Sequence, residues 1–330
     1  MKGHLTVPWI PHPWVTAGQN TVRFGVAMLN QWADWSLFHD GVQLAEELGF
    51  DSYWIYDHPR WSADCWTTLA ALAVTSKTIR LGSCVSCIYY RSPIMLARMA
   101  ADVDRWSNGR LILGIGTGWA SEEFAQLNIP FPSTPERQQA LEEAVQVVMG
   151  LWGETPFTFQ GQYYQVKEAN VWPGPVQQPH VPILIAGGGE RITLLQVARY
   201  GDVSNFASLA QAGSAFHHED VVRKFEALRS HCEIIGRPYE SVLRSYLTLP
   251  LVLAETHHAL RAKLDAISED ELAFYRTSLV TGTPSEVIEH YQSLIDAGVQ
   301  YFIMAAWEQD LETFQLLAER VVPELTRAKK

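Results

Sequence analysis

Short runs of consecutive apolar residues alternate along the chain with longer stretches whose apolar positions recur at helical spacing. The run 22-VRFGVAM-28 reads as a buried strand, 36-SLFHDGVQLAEELGF-50 as an amphipathic helix stopping at Gly49, and 52-SYWIY-56 as the next strand. The stretch 66-WTTLAALAVTS-76 is again helical, 79-IRLGSCVS-86 a strand, 93-PIMLARMAADVDRWS-107 a helix with proline in its first turn, and 110-RLILGIG-116 a fourth strand. No two-residue hairpin turn joins consecutive strands here. That pattern implies parallel strands with right-handed crossovers, and the near-continuous apolar runs fit strands covered on both faces.

The rhythm breaks once. A long helix, 135-PERQQALEEAVQVVMGLW-152, is followed by two alternating runs around Gln160-Gly161 in 157-FTFQGQYYQV-166, read as a hairpin excursion, and by a proline-rich return, 172-WPGPVQQPHVP-182. Then 183-ILIAGG-188 is a strand, 190-ERITLLQVARY-200 a helix, 202-DVSNFA-207 a strand, 214–235 a helix and 243-LRSYLTLPLVLA-254 a long strand. Residues 257–279 form a polar helical insert, 284–298 a helix, 300-QYFIMAA-306 the last strand and 308–328 the closing helix. Eight strands, starting at 22, 52, 79, 110, 183, 202, 243 and 300, each with a helix behind it, predict an α/β fold: a (β/α)8 TIM barrel with insertions. The rival is a doubly wound sheet in two domains. No Gly-, Ser- or charge-rich linker divides the chain, so a single domain over 1–330 is expected.

Composition narrows the function. The net charge of −11, without any Lys/Arg block, argues against nucleic acid or an anionic membrane as partner, so an anionic ligand needs a local device. The N-terminus lacks the apolar core, roughly 7–15 residues long, of a signal peptide. No stretch offers the ~18 uninterrupted apolar residues of a membrane span. Cys65, Cys84, Cys87 and Cys232 make no secreted framework, and a cytoplasmic chain with reduced thiols is expected.

Barrel chemistry sits at the C-terminal ends of strands. Four such ends are unusual. After the second strand, 57-DHP-59 offers an imidazole able to exchange a proton, with Asp57 placed to fix the tautomer of His58; the bland reading is a loop-capping histidine. At 83-SCVSC-87 the CxxC residues would point to opposite faces of a strand, and no second pair completes a metal site. In 113-LGIGTGWASEEF-124, Trp119 stands where a dinucleotide fingerprint needs its third glycine. The glycines there would instead let a flat ring approach the backbone. Glu122 and Glu123 open the next helix; they favour its dipole, or one faces the cleft. Finally, 183-ILIAGGGERIT-193 bridges strand and helix with three glycines, an anion cradle of exposed amides or simply a tight turn. The paired histidines 217–218 and 257–258 fit solvated positions, and Trp32, Trp35, Trp61, Trp66 and Trp119 hint at an aromatic-lined mouth.

As a set, 45-AEELGFDSYWIYDH-58, residues 79–119, 136-ERQQALEEAVQVVMGLW-152, the FQGQYY hairpin, residues 182–206 and 282-GTPSEVIEHYQSLIDAGVQYFIM-304 resemble the bacterial-luciferase-like superfamily, most of all its branch of coenzyme F420 (deazaflavin)-dependent oxidoreductases. The resemblance implies a TIM barrel with an insertion after the fourth strand and a homodimer. It implies a ring system across the barrel mouth, with the tail phosphate on the amides of Gly187, Gly188, Gly189 and Glu190. It implies a non-proline cis peptide behind the ring, by position Cys84–Val85, with Asp57, Thr117, Gly118 and Trp119 beside the cofactor and His58 as acid/base or anion stabiliser. Some sugar-phosphate dehydrogenases of the branch carry a carboxylate where Trp119 stands, so their proton scheme and substrate do not transfer. Flavin-using relatives often place an arginine near Thr117, and its absence favours deazaflavin over FMN. The expected function is therefore hydride transfer between F420 and a small organic substrate. The alternatives are an FMN-dependent monooxygenase using O2 and a partner reductase, and a non-catalytic cofactor-binding or interaction protein whose helical insert serves a partner surface.

Overall fold

The computed structural model describes residues 10–29, 34–153, 156–209, 215, 217–307 and 310–326. Eight strands build its centre: β1 Arg23–Leu29, β2 Ser52–Ile55, β3 Arg80–Ser83, β4 Leu111–Gly116, β5 Ile183–Ala186, β6 Val203–Ala207, β7 Leu243–Thr248 and β8 Tyr301–Trp307. Each pairs in parallel with its sequence neighbours, and β8 pairs with β1 over its whole length, Arg23 opposite Tyr301 through Leu29 opposite Trp307. The pairing of β3 with β4, Leu81 opposite Leu111, completes the ring. This is the closed eight-stranded barrel expected from the sequence; a doubly wound sheet would leave two open edges.

The apolar runs lack alternation because both strand faces are buried, yet the faces divide with period two. On β1, Phe24, Val26 and Met28 meet the surrounding helices, while Ala27 and Leu29 point into the barrel. On β8, Phe302, Met304 and Ala306 face out, and Tyr301, Ile303 and Ala305 face in. The N-terminal end of the barrel is closed by the helix Pro13–Ala17, whose Trp14 packs edge-on against Tyr301 at 5.4 Å. Chemistry is thereby confined to the other end.

The excursion between β4 and β5 comprises helices Ser121–Gln126 and Thr134–Trp152 and an antiparallel hairpin, Phe157–Gln160 with Gln165–Ala169. Glu143 ties the hairpin turn to the long helix by accepting from the amides of Gln162, Tyr163 and Tyr164.

Three predicted elements differ. The strand 243–254 is broken at Leu249–Pro250, since Pro250 has no N–H to continue the ladder; Leu251–Leu253 leaves the barrel and pairs with Val280–Gly282. The insert 257–279 holds two helices, His257–Asp265 and Glu269–Tyr275. The helix after β5 starts at Thr193 rather than at residue 190, because Gly187, at φ 125°, turns the chain sharply and residues 190–192 complete the turn.

Candidate active site

A cavity of about 910 Å3 opens at the C-terminal ends of the strands. All the residues singled out in the sequence as cofactor or proton contacts line it: Asp57, His58, Cys84, Val85, Thr117, Gly118, Trp119, Gly187, Gly188, Gly189 and Glu190. That volume lies near the top of the usual range for ligand pockets, enough for a large ring system and a second small molecule.

His58 leaves the end of β2 on a short non-regular segment. Its Nδ1 lies 2.8 Å from Oε2 of Glu123. Glu123 also accepts from the hydroxyl of Tyr90 at 2.7 Å (Oε2) and from the amide of Arg60 at 3.1 Å (Oε1). The Glu123 side chain is fully buried, whereas that of Glu122 is 81% exposed and pairs with Arg60. Burial pushes the Glu123 carboxyl up, but the hydrogen bond and charge of His58, with the bonds from Tyr90 and Arg60, more than offset it and hold it below the usual range. A carboxylate facing Nδ1 makes that nitrogen the N–H donor. The other ring nitrogen, Nε2, is then the one able to accept a proton.

This corrects the expected role of Asp57. Its Oδ2 accepts from Nη1 of Arg91 at 2.7 Å and from the amide of Cys87 at 3.2 Å, so it does not orient the imidazole. Its Oδ1 is buried and has no hydrogen-bond partner among the described residues. Burial pushes this carboxyl up, and Arg91 pulls it down only in part. Arg91 also pairs with Asp64.

A cis peptide joins Cys84 to Val85, as the resemblance implied. Both CxxC thiols are buried, and burial pushes each up to about 12, far from the thiolate form. Of the glycines in and after β4, Gly116 and Gly118 line the cavity, while Gly114 faces the neighbouring strand. A Cβ on Gly114 would stand 1.9 Å from the carbonyl oxygen of Ser83, and one on Gly116 would stand 2.8 Å from Cγ2 of Val85. Gly114 thus accommodates the neighbouring strand end, where Ser83 Oγ bonds both the carbonyl and the amide of Gly114.

The glycine turn after β5 is pinned from outside. Lys224 donates to the carbonyl of Gly188 at 2.6 Å, His231 Nε2 lies 2.7 Å from the carbonyl of Glu190, and Arg223 pairs with the Glu190 carboxylate at 3.0 Å. The Gly187 amide is already bonded to the carbonyl of Asn205, so the amides left to meet an anion are those of Gly188, Gly189 and Glu190. Arg191, which continues this turn, and Arg137 also line the cavity.

Aromatic rings stand over His58. Trp61 and Trp119 lie 5.0 and 5.6 Å from the imidazole and 5.8 Å from each other, and Phe274 of the insert lies 6.5 Å from Trp119. Trp66, by contrast, is a core residue bonded to Ser86, and Trp35 is surface-exposed against His39. Trp32 lies outside the described residues. Sequence reasoning does not reach Tyr90, Arg91, Lys224 or Phe274, whose partners lie far away along the chain.

A family model described as luciferase-like monooxygenase matches residues 1–275. An F420-dependent glucose-6-phosphate dehydrogenase of Kineococcus radiotolerans is 32% identical over 321 residues, spanning 87% of this chain and 92% of that protein. Among solved structures, the coenzyme F420-dependent tetrahydromethanopterin reductase of Methanopyrus kandleri superposes with a TM-score of 0.76 at 18% identity, covering 92% of this chain and 99% of that one. A monooxygenase of Streptomyces bottropensis superposes with a TM-score of 0.75 at 23% identity, covering 92% and 99%. The two superpositions carry the fold, and the extent of the family match carries the assignment: this chain is a member of the luciferase-like monooxygenase family.

Proposed function

We propose that this protein is an F420-dependent oxidoreductase acting on a small organic molecule, with His58 handling the proton. The carrying observation is the meeting, in one cavity, of an imidazole anchored at Nδ1 and a glycine turn with amides to spare. The curated relative named above supports the choice of cofactor.

The residues present fit a deazaflavin. The orphaned Oδ1 of buried Asp57 is an acceptor in search of a donor, and the pyrimidine edge of the ring system supplies an N–H. The amides of Gly188, Gly189 and Glu190 suit the tail phosphate, with Arg191 beside them. Cys84, Val85, Thr117, Gly118 and Trp119 bound the space between these two anchors. When bound, the cofactor supplies the carbon that accepts or gives a hydride. The protein holds the substrate and excludes water through Trp61, Trp119 and Phe274, and moves the proton at Nε2 of His58. Glu123 keeps Nδ1 protonated and stabilises the imidazolium that results, in the manner of a buried carboxylate behind a general base.

Titration of the purified protein with F420, and in parallel with FMN, tests the reading by quenching of cofactor fluorescence. F420 should bind the more tightly. His58→Ala should keep F420 affinity within about twofold and slow turnover by roughly 10²–10⁴-fold. Equal turnover in mutant and parent removes His58 from the mechanism, and preference for FMN removes the cofactor assignment. A homodimer is part of the proposal. Trp172, 82% exposed, follows the hairpin, and the next residue, Pro173, is bonded to Arg98 of the helix Pro93–Trp106; sedimentation of a Trp172→Glu variant tests that face.

A further inference from the structure

We infer that the substrate is an uncharged, ring-bearing or otherwise apolar alcohol or ketone, and not a phosphorylated sugar; this rests on the oxidoreductase reading above. The space over His58 is walled by Trp61, Trp119, Phe274 and Tyr275, with Leu247 and Leu249 below. Tyr275 meets Phe274 edge-on at 4.8 Å and Trp307 at 5.6 Å, so the roof is a connected aromatic surface and not a set of single rings. Phe274 is 48% exposed, a large apolar side chain held at the cavity rim where a ligand can cover it.

Charge points the same way. A phosphate dianion needs a cation or a cluster of amides free to meet it. Of the cations lining the cavity, Arg191 continues the glycine turn, where the cofactor tail belongs, and Arg137 is packed against the ring of Phe131 at 3.9 Å and donates to the carbonyl of Pro132 at 3.2 Å. Arg60, beside the aromatic wall, is paired with Glu122, and Arg91, beneath the floor, with Asp57 and Asp64. The helix roofing the substrate side brings Asp270 and Glu271 to the cavity, which would repel an anion. Oxidation of an apolar alcohol releases a hydride from the carbinol carbon and a proton from its oxygen. Nε2 of His58 would take that proton, and oxidised F420, when bound, would supply the hydride acceptor.

The test is saturation-transfer NMR on the full chain, with and without F420, using 1-phenylethanol and glucose 6-phosphate as probes, on the parent, Trp119→Ala and Phe274→Ala. The aryl protons of 1-phenylethanol should be saturated by the parent, and its Kd should rise about tenfold in each variant. On the F420-loaded protein, glucose 6-phosphate should neither bind nor compete, and only the alcohol should bleach the visible band of the cofactor. Displacement of 1-phenylethanol by glucose 6-phosphate, or aryl signals equal in parent and both variants, overturns the inference. If F420 itself fails to bind, the oxidoreductase reading falls, while the aryl signals on the free protein and their loss in the variants still decide what the aromatic wall accepts.

Discussion

Glu123→Gln is the sharpest probe of the proposed proton-handling pair. The substitution keeps the shape and removes the charge. The parent carboxylate accepts three hydrogen bonds, from His58, Tyr90 and the Arg60 amide. A glutamine has one acceptor oxygen, so in either orientation an N–H or O–H group of the site faces its NH2. That mismatch costs about 1–3 kcal/mol of stability, which a barrel of this size should tolerate. The kinetic cost is separate. Two unit charges about 4 Å apart at an effective dielectric of ~20 attract by roughly 4 kcal/mol. The His58 side chain is 23% exposed, so solvent screening leaves about half of that. This attraction exists only while His58 holds the extra proton. Losing ~2 kcal/mol of it should slow turnover by roughly 30-fold.

The assay is the rate of cofactor bleaching at saturating substrate, beside F420 affinity from fluorescence. Glu123→Gln should lose rate and keep the affinity, since Glu123 does not line the cavity. Tyr90→Phe keeps the carboxylate and removes one neutral donor, so it should cost only about fivefold. A Glu123→Gln enzyme running at the parent rate, or a larger loss in Tyr90→Phe, refutes the electrostatic argument. Stability gives a second readout. The Glu123 carboxyl is held below its ordinary 4.5, so its contribution is present above that value and fades as pH falls through the lower folded value. The gap in urea midpoint between parent and Glu123→Gln should therefore close in acid, as pH falls through that lower value.

Other parts of the molecule carry their own expectations. Lys224→Met removes the donor to the Gly188 carbonyl and should weaken F420 about tenfold while leaving weak binding of a tail-less deazaflavin unchanged, as read by fluorescence titration. Gly114→Ala puts a methyl 1.9 Å from a strand carbonyl in the barrel wall and should cost about 3 kcal/mol or more in urea unfolding, without any direct effect on ligands. His180 and Asp202 form a buried pair at 2.9 Å. Burial lowers His180, but Asp202 more than offsets this and raises it above 6.5. The contribution of His180 is then complete below that ordinary value and lost as pH rises through the elevated one, so parent and His180→Gln should converge in stability at alkaline pH.

The eight strands are legible in the sequence because a barrel strand is buried on both faces, which leaves a short apolar run between segments of helical spacing. The end of the seventh is not, because Leu251–Leu253 is as apolar as Leu243–Thr248; only Pro250 marks the departure. Proximity in sequence misplaces Asp57, since neighbours in an extended segment point to opposite sides. Its side chain turns to Arg91 while His58 turns to the mouth. Glu123 stands 65 residues from His58, and the sequence offers two adjacent glutamates with nothing to rank them. Their helix has one buried face, and Phe124, fully buried beside Glu123, is what turns Glu123 inward and Glu122 to solvent. Gly114 misleads because a sequence cannot distinguish room for a ligand from room for the next strand's carbonyl.

The three groups of the proposed proton-handling cluster come from consecutive barrel units: His58 follows β2, Tyr90 follows β3 and Glu123 follows β4. Their approach is therefore set by the register of the wall itself, Trp54 opposite Gly82 between β2 and β3, and Gly82 opposite Ile112 between β3 and β4. Gly82 allows that register because a Cβ there would lie 2.3 Å from the Trp54 ring, the largest side chain filling the barrel interior. The glycine turn is fixed differently, by side chains of the helix His218–Ile235, which follows β6. The proposed proton site is thus held by the barrel wall, whereas the proposed anion site depends on a helix that packs against it. The physical expectation is that changes in the wall move proton transfer and stability together, while changes on that helix move cofactor affinity alone.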